Sequence, residues 1–242
     1  METIVFMDLD DSIFQTRRKC REPGPLRVGA LGPDGLPLSF LRPSQARLLE
    51  QVFKGAAVVP VTARNLESFG RVTLNFEHGA VLNFGGLILS PAGEVDEEWL
   101  AETRPLCRAA RGRLLEALAG AEELAGKRGL GCRIRLISDQ GLDFYVLVKT
   151  LNGRPEELDE IAALFSEFFC DLTLHRNGGI LAALPPFLNK ARALPYHLEK
   201  HLGHLGPDRL VLGFGDSLTD VDFMRLCDYL IIPSGSQLER RL

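Results

Sequence analysis

Asp8 and Asp10 stand two residues apart, directly after the apolar run 3–7. In an extended segment, side chains at i and i+2 project to the same side, so both carboxylates reach one place. Two like charges that close need a cation, and hard oxygen donors favour Mg²⁺. Three other segments carry complementary groups: Val61-Thr62-Ala63-Arg64 after the apolar run 56–59, Lys190 at the start of a helical stretch, and Gly213-Phe214-Gly215-Asp216-Ser217-Leu218-Thr219-Asp220 after 210–212. Together they place three acids, a hydroxyl and an ammonium at strand or helix ends. That set suits Mg²⁺-assisted phosphoryl transfer.

Each member also has a plainer reading. Thr62 lies where a strand gives way to a helix, so it can bond a phosphoryl oxygen or simply cap the helix. Arg64 is either a second phosphate donor or a solvated arginine. Asp220, four residues after Asp216, suits the N-terminal end of a helix dipole as well as a metal-bound water or Lys190. Asp222 reads as structural. His197, His201 and His204 have helical spacing, but no acid motif accompanies them, which argues against a zinc site.

These groups must be held by strands and helices in alternation. Residues 3–7, 56–61, 210–214 and 229–232 read as short buried strands. Helices are expected from Pro43-Ser44 to about Phe53, near 66–74, and over 190–202, with Pro195 kinking the last or resetting its start. Gly32-Pro33-Asp34-Gly35 between two apolar runs predicts a hairpin. Such alternation indicates an α/β fold with a doubly wound parallel sheet, whose ligands bind outside the carboxyl ends of the strands.

With these four segments in this order, the chain resembles the haloacid dehalogenase (HAD) superfamily, most of whose members are phosphatases. The match covers residues 1–83 and 186–242, and it implies a HAD core with an inserted α+β cap domain over 84–185. The closest likeness is to the branch with a large cap after the second motif, which includes sucrose-phosphate phosphatase, mannosylglycerate-phosphate phosphatase and phosphomannomutase. The usual Gly-Thr after the second acid is Asp11-Ser12 here, which keeps a hydroxyl. The resemblance implies Asp8 as nucleophile through an aspartyl-phosphate, and Asp10 as general acid and then base. It implies Lys190 as the charge screen, Thr62 as a phosphate donor, and a hairpin flap close to the site. Mg²⁺ would be bound by Asp8, Asp216 and the backbone carbonyl of Asp10. The expected activity is hydrolysis of a small phosphorylated metabolite, a sugar phosphate by the likeness. A phosphomutase and an idle HAD-like binding module are the alternatives, although neither nucleophile, lysine nor metal acid is lost.

Between residues 84 and 185 the order is helix, strand, strand, twice over. The first helix, 94–127, is expected to break around Pro105 and Gly120, and the second spans 155–169. Strands are expected at 132–138, 144–150, 171–175 and 179–184. Alternation puts Arg133 and Arg135 on one sheet face, with Lys149, His175 and Asn177 as candidates to share it. That face either selects the leaving group or is solvated. Pro233-Ser234-Gly235-Ser236-Gln237, past the last strand, either lines the site or caps the sheet.

Composition narrows the classes further. The 242 residues are 45% hydrophobic and 25% charged, with a net charge of −4, which offers no global basic excess for nucleic acid. The five cysteines are dispersed and lack a Cys-x-x-Cys pair, as expected of reduced thiols. Asp8 comes too soon for a secretory h-region, and no apolar run spans a bilayer. A cytoplasmic protein without membrane partners is expected.

Overall fold

The computed structural model describes residues 2–21, 23–206 and 208–242. They form two compact units, one of residues 1–97 with 189–242 and one of residues 98–188. In chain order the first unit opens with β1 (Glu2–Met7), β2 (Gln15–Thr16), β3 (Arg27–Leu31) and β4 (Pro37–Leu41). It continues with α1 (Pro43–Arg47), a π-helical turn (Leu48–Val52), β5 (Ala57–Pro60), α2 (Leu66–Phe69), β6 (Ala80–Leu82) and β7 (Leu87–Leu89). The inserted unit contains α3 (Glu97–Arg128), β8 (Cys132–Asp139), β9 (Leu142–Thr150), α4 (Glu157–Phe168), β10 (Thr173–Asn177) and β11 (Ile180–Leu184). The chain then returns through α5 (Lys190–Lys200), β12 (Arg209–Phe214), α6 (Val221–Met224) and β13 (Tyr229–Ile231).

The first unit is built on a parallel sheet in the order β13-β12-β1-β5. Alternate residues of β1 serve opposite faces. Val5, Met7 and Leu9 pack with Phe53, Phe214, Leu48 and Leu49 on one side, and Phe6 meets the His197 ring of α5 on the other. Both faces are therefore covered, as the near-continuous apolar strands require. Met7 pairs with Phe214 and with Pro60, so β1, β12 and β5 end level with one another. The residues that follow them leave the sheet at one carboxyl edge.

The boundary of the insert moves relative to the sequence reading. Residues 84–97 belong to the first unit because β6 and β7 pair as a hairpin, and Val81 bridges in parallel to Val61 beside β5. The return falls at 188/189 and not at 185/186. The expected break at Pro105 and Gly120 is also absent, since α3 is one helix of 32 residues. A proline removes a single amide donor. Beyond it, Leu114, Ala117, Ala121 and Ala125 form a buried stripe that packing holds helical.

That stripe and Leu158, Ile161 and Phe165 of α4 cover Val146, Val148, Leu181 and Ala183 of a sheet ordered β10-β11-β9-β8. Strand register sets what lies on the other face. One row across the sheet is Arg133, Lys149, Ile180 and Asn177, and the next is Arg135, Leu147, Ala182 and His175. No helix among the described residues is long and apolar enough to cross a membrane.

Candidate active site

The carboxyl edge of the parallel sheet gathers the four segments. Asp8 follows β1 and is 6% exposed, Asp216 follows β12 at 4%, and Lys190 opens α5 at 3%. Lys190 Nζ donates to Asp8 Oδ1 at 2.6 Å and to Asp220 Oδ1 at 2.6 Å. Ser12 Oγ lies 3.1 Å from Asp8 Oδ2 and 3.3 Å from Asp216 Oδ1, sharing one proton between two carboxylates. Three buried carboxylates thus face one ammonium.

Local sequence explains why the loops hold these positions. Asp11 has φ +66°, a left-handed conformation that aspartate tolerates better than most side chains, so it can hold the turn that leads into Ser12. Gly215 cannot carry a Cβ, which would come within 2.5 Å of Asp220 and 2.8 Å of Met224. The remaining Asp220 oxygen is used up locally. It accepts from Asp216 N at 3.1 Å, Ser217 N at 2.9 Å and Ser217 Oγ at 2.8 Å, forming a capping box. Asp220 therefore orients Lys190 and the Asp216 loop. Asn189 accepts from Ala191 N at 2.8 Å as the N-cap of α5 and donates to Asp222 at 3.1 Å, which fixes where the helix, and Lys190, begins.

Burial dominates the electrostatics. It pushes the Asp8 carboxyl well above the usual range, an effect opposed by Lys190 and reinforced by Asp220 and Asp216. Burial, then Asp220 and Asp11, raise Asp216 to about 7. Burial disfavours the Lys190 ammonium, yet Asp220 and Asp8 outweigh it and hold the lysine firmly protonated. Single ligand oxygens of Asp8, Asp216 and Asp220 all lie within 4.8 Å of one another. Clustered hard oxygens with an excess of negative charge fit a Mg²⁺-like cation. Asp220 is already saturated by donors, so Asp8 and Asp216 are the carboxylates left to bind one.

Thr62 reaches the same edge, 1% exposed, with its amide bonded to Val81 O at 2.8 Å and its Oγ1 accepting from Arg64 N at 3.2 Å. Its hydroxyl donates to no acceptor among the described residues. Arg64 forms a bidentate pair with Asp10, Nε to Oδ2 at 2.7 Å and Nη2 to Oδ1 at 2.8 Å, and stacks 5.1 Å over Phe14. Burial opposes the charge of Arg64, but the hydrogen bonds and charge of Asp10 raise its pKa overall. The Asp10 carboxylate thus lies outside the buried carboxylate cluster.

Two contributions were not visible in the sequence. One is that Arg64–Asp10 pair, which joins residues 54 apart. The other is what the segment after β13 does, which the sequence left open between lining the site and capping the sheet. Gln237 Oε1 accepts from Leu218 N at 3.0 Å, and Leu238 N donates to Asp216 O at 2.9 Å, so this segment braces the Asp216 loop. Two of the three histidines are engaged elsewhere. His197 bonds His78 O at 2.8 Å, and His201 bonds Asp96 at 2.9 Å. Arg133, Arg135, Lys149 and His175 share one face of the insert sheet, as their strand register shows.

No protein-family model matches this chain, and no curated protein matches its sequence. Solved structures do match it in three dimensions. The C-terminal domain of trehalose-6-phosphate phosphatase from C. albicans aligns with a TM-score of 0.60 at 13% identity, over 93% of this chain and 72% of that one. A haloacid dehalogenase-like hydrolase from Bacteroides thetaiotaomicron aligns at 0.50 and 12% identity, over 96% and 94%. This chain has the HAD-like fold. A sucrose-phosphatase from Synechocystis, solved with sucrose and phosphate, aligns at 0.51 and 18% identity, over 100% and 86%. At such identities the likeness concerns the fold, and the chemistry rests on the side chains above.

Proposed function

We propose that this protein is a Mg²⁺-dependent phosphomonoester hydrolase acting on a small phosphorylated metabolite of the sugar-phosphate class. The observation that carries the reading is the buried Lys190 ammonium between Asp8 and Asp220, beside Asp216 and Ser12, at the carboxyl edge of a parallel sheet. The sugar-phosphate class is supported by the two sugar phosphatases among the solved structures of similar fold.

In this reading an Asp8 oxygen attacks phosphorus. The Oδ–P bond forms, the ester P–O bond breaks, and Asp10 gives a proton to the leaving alcohol. Asp10 then takes a proton from the water that attacks the aspartyl-phosphate, releasing inorganic phosphate and restoring Asp8. For these steps Asp10 exchanges Arg64 for the leaving oxygen and then for water. Lys190 and the Thr62 hydroxyl hold phosphoryl oxygens, and Asp220 keeps Lys190 in place. Asp8, Asp216 and the carbonyl of Asp10 would hold Mg²⁺, which neutralises charge where the nucleophile and phosphoryl group meet. The open face of the insert sheet, with Arg133, Arg135, Lys149 and His175, selects the leaving group.

The test is phosphate release from an aryl phosphate and from a panel of phosphorylated metabolites, with and without Mg²⁺. Turnover with Mg²⁺ supports the reading, and its absence across the panel overturns it. A requirement for a bisphosphorylated sugar activator would mark a mutase instead.

A further inference from the structure

Residues 83–85 depart from ordinary backbone geometry, and they do so between two groups of the site. Asn83 has φ +49°, Phe84 φ +54° and Gly85 φ +91°, three left-handed residues in succession. Glycine adopts that region freely and asparagine tolerates it, but a phenylalanine enters it only under steric strain. Asn83 and Phe84 are also buried, at 0% and 3% exposed. A bulky residue stays in such a conformation only where its surroundings hold it, and strain of this kind gathers at functional sites.

Both ends of the turn are tied to the site. At one end Asn83 N donates to Arg64 O at 2.9 Å and Phe84 N donates to Thr62 O at 3.1 Å. At the other, Gly85 lies against the start of α5, where a Cβ would come within 2.5 Å of Asn189 O and 3.5 Å of Lys190 Cα. The left-handed turn is thus a short spacer between the Thr62 loop and the helix that carries Lys190.

The Phe84 side chain meets the same lysine. Lys190 Nζ lies over its ring, 6.0 Å from the centroid, and over the Phe223 ring at 5.7 Å. Both distances are within the range of cation–π attraction. An ammonium has three N–H groups. Two go to Asp8 and Asp220, and aromatic faces offer the third no oxygen that would compete with an incoming phosphoryl group. A leucine in place of Phe84 would bear the same backbone strain and fill much of the same space, but it has no face for the ammonium.

We infer that Phe84 is a positioning residue of the reaction. Its left-handed turn sets the spacing of Thr62 and Lys190, and its ring holds the ammonium where it meets the phosphoryl oxygens. The inference rests on the phosphomonoesterase reading and adds to it a residue that acts through Lys190.

Phe84→Leu tests it by removing the π face alone. With Mg²⁺ and an aryl phosphate, kcat should fall about tenfold while KM stays within about twofold, since the ammonium acts on charge in the transition state. A lowered melting temperature with kcat unchanged would make Phe84 ordinary core and overturn the inference. A thermodynamic cycle with Lys190→Met gives a readout independent of turnover. Chemical denaturation of the two single variants and the double variant should show losses that fall short of additive by about fivefold in the unfolding constant, because no ammonium is left for the ring to hold. Additive losses would overturn the inference while the phosphatase reading stands. If no ester is turned over, the phosphatase reading fails, and the cycle still decides whether Phe84 holds Lys190.

Discussion

Charged side chains are managed in opposite ways at the nucleophile loop and on the open face of the insert sheet. Around Asp8 the charged groups of Asp8, Lys190, Asp216 and Asp220 are buried and held by hydrogen bonds. Lys190 reaches two carboxylates, Ser12 reaches two, and Asp220 takes three further donors from its own turn. On the insert sheet Arg133 and Lys149 sit directly opposite each other, both exposed, with no carboxylate partner among the described residues. A like-charge cross-strand pair costs stability, although water reduces that cost. Burial makes the first set interdependent, so that removing one member strands the others. Exposure makes the second set separable, so that a change there alters what it meets and little else.

The largest effect should come from Asp8→Asn. It keeps the shape of the side chain but removes the nucleophile, and turnover should fall by more than about a thousandfold while the fold persists. Activity of the folded variant within about tenfold of wild type would remove Asp8 from that role. Chelation should abolish turnover next, with Mg²⁺ restoring it and Ca²⁺ inhibiting through its looser oxygen shell. Full activity after exhaustive chelation would contradict the role given to Asp216.

Lys190→Met sharpens the comparison through stability. Breaking a buried ion network by deleting one partner costs about 3–5 kcal/mol. The corresponding Lys149→Met on the insert should cost less than about 1 kcal/mol. Chemical denaturation of both variants measures the difference, and similar losses would contradict the contrast.

His197 supplies a pH test within the same unit. It is fully buried with Nδ1 unpartnered, and burial lowers its pKa from 6.5 to about 4. The unfolded chain binds the proton first as pH falls. Stability is therefore complete above pH 6.5 and declines towards about pH 4, by about 3 kcal/mol from this residue. Melting curves of wild type and His197→Gln across that window should differ in slope, and parallel curves would contradict the assignment.

The smallest effect is expected on the insert. Arg133→Ala and Lys149→Ala should change kcat/KM for the best natural substrate about tenfold and leave aryl phosphate turnover near wild type. Equal effects on both substrates, or none, would make this face solvated surface.

The positions of Asp8, Thr62, Lys190 and Asp216 at strand or helix ends were legible from sequence because each follows or opens a short element whose type is locally encoded. Buried parallel strands are continuous apolar runs, and the groups at their carboxyl ends converge wherever such strands lie side by side. The two rows on the insert sheet were legible in part for a related reason, since alternation along a strand fixes the face of every side chain. The extent of α3 was not, because Pro105 is a local breaking signal and the packing that overrides it comes from α4 and the insert sheet.

The sequence by itself determined which groups exist and at which strand or helix end each stands, since backbone periodicity and chain order are local properties. Only the tertiary structure decided how those groups are paired. It set Arg64 on Asp10 and Lys19 on Asp11, joined Ser12 to two carboxylates, and closed Asp220 around its own turn. Pairing depends on distances between residues far apart in the chain, and those distances are fixed by strand register and packing, which no local run of residues encodes.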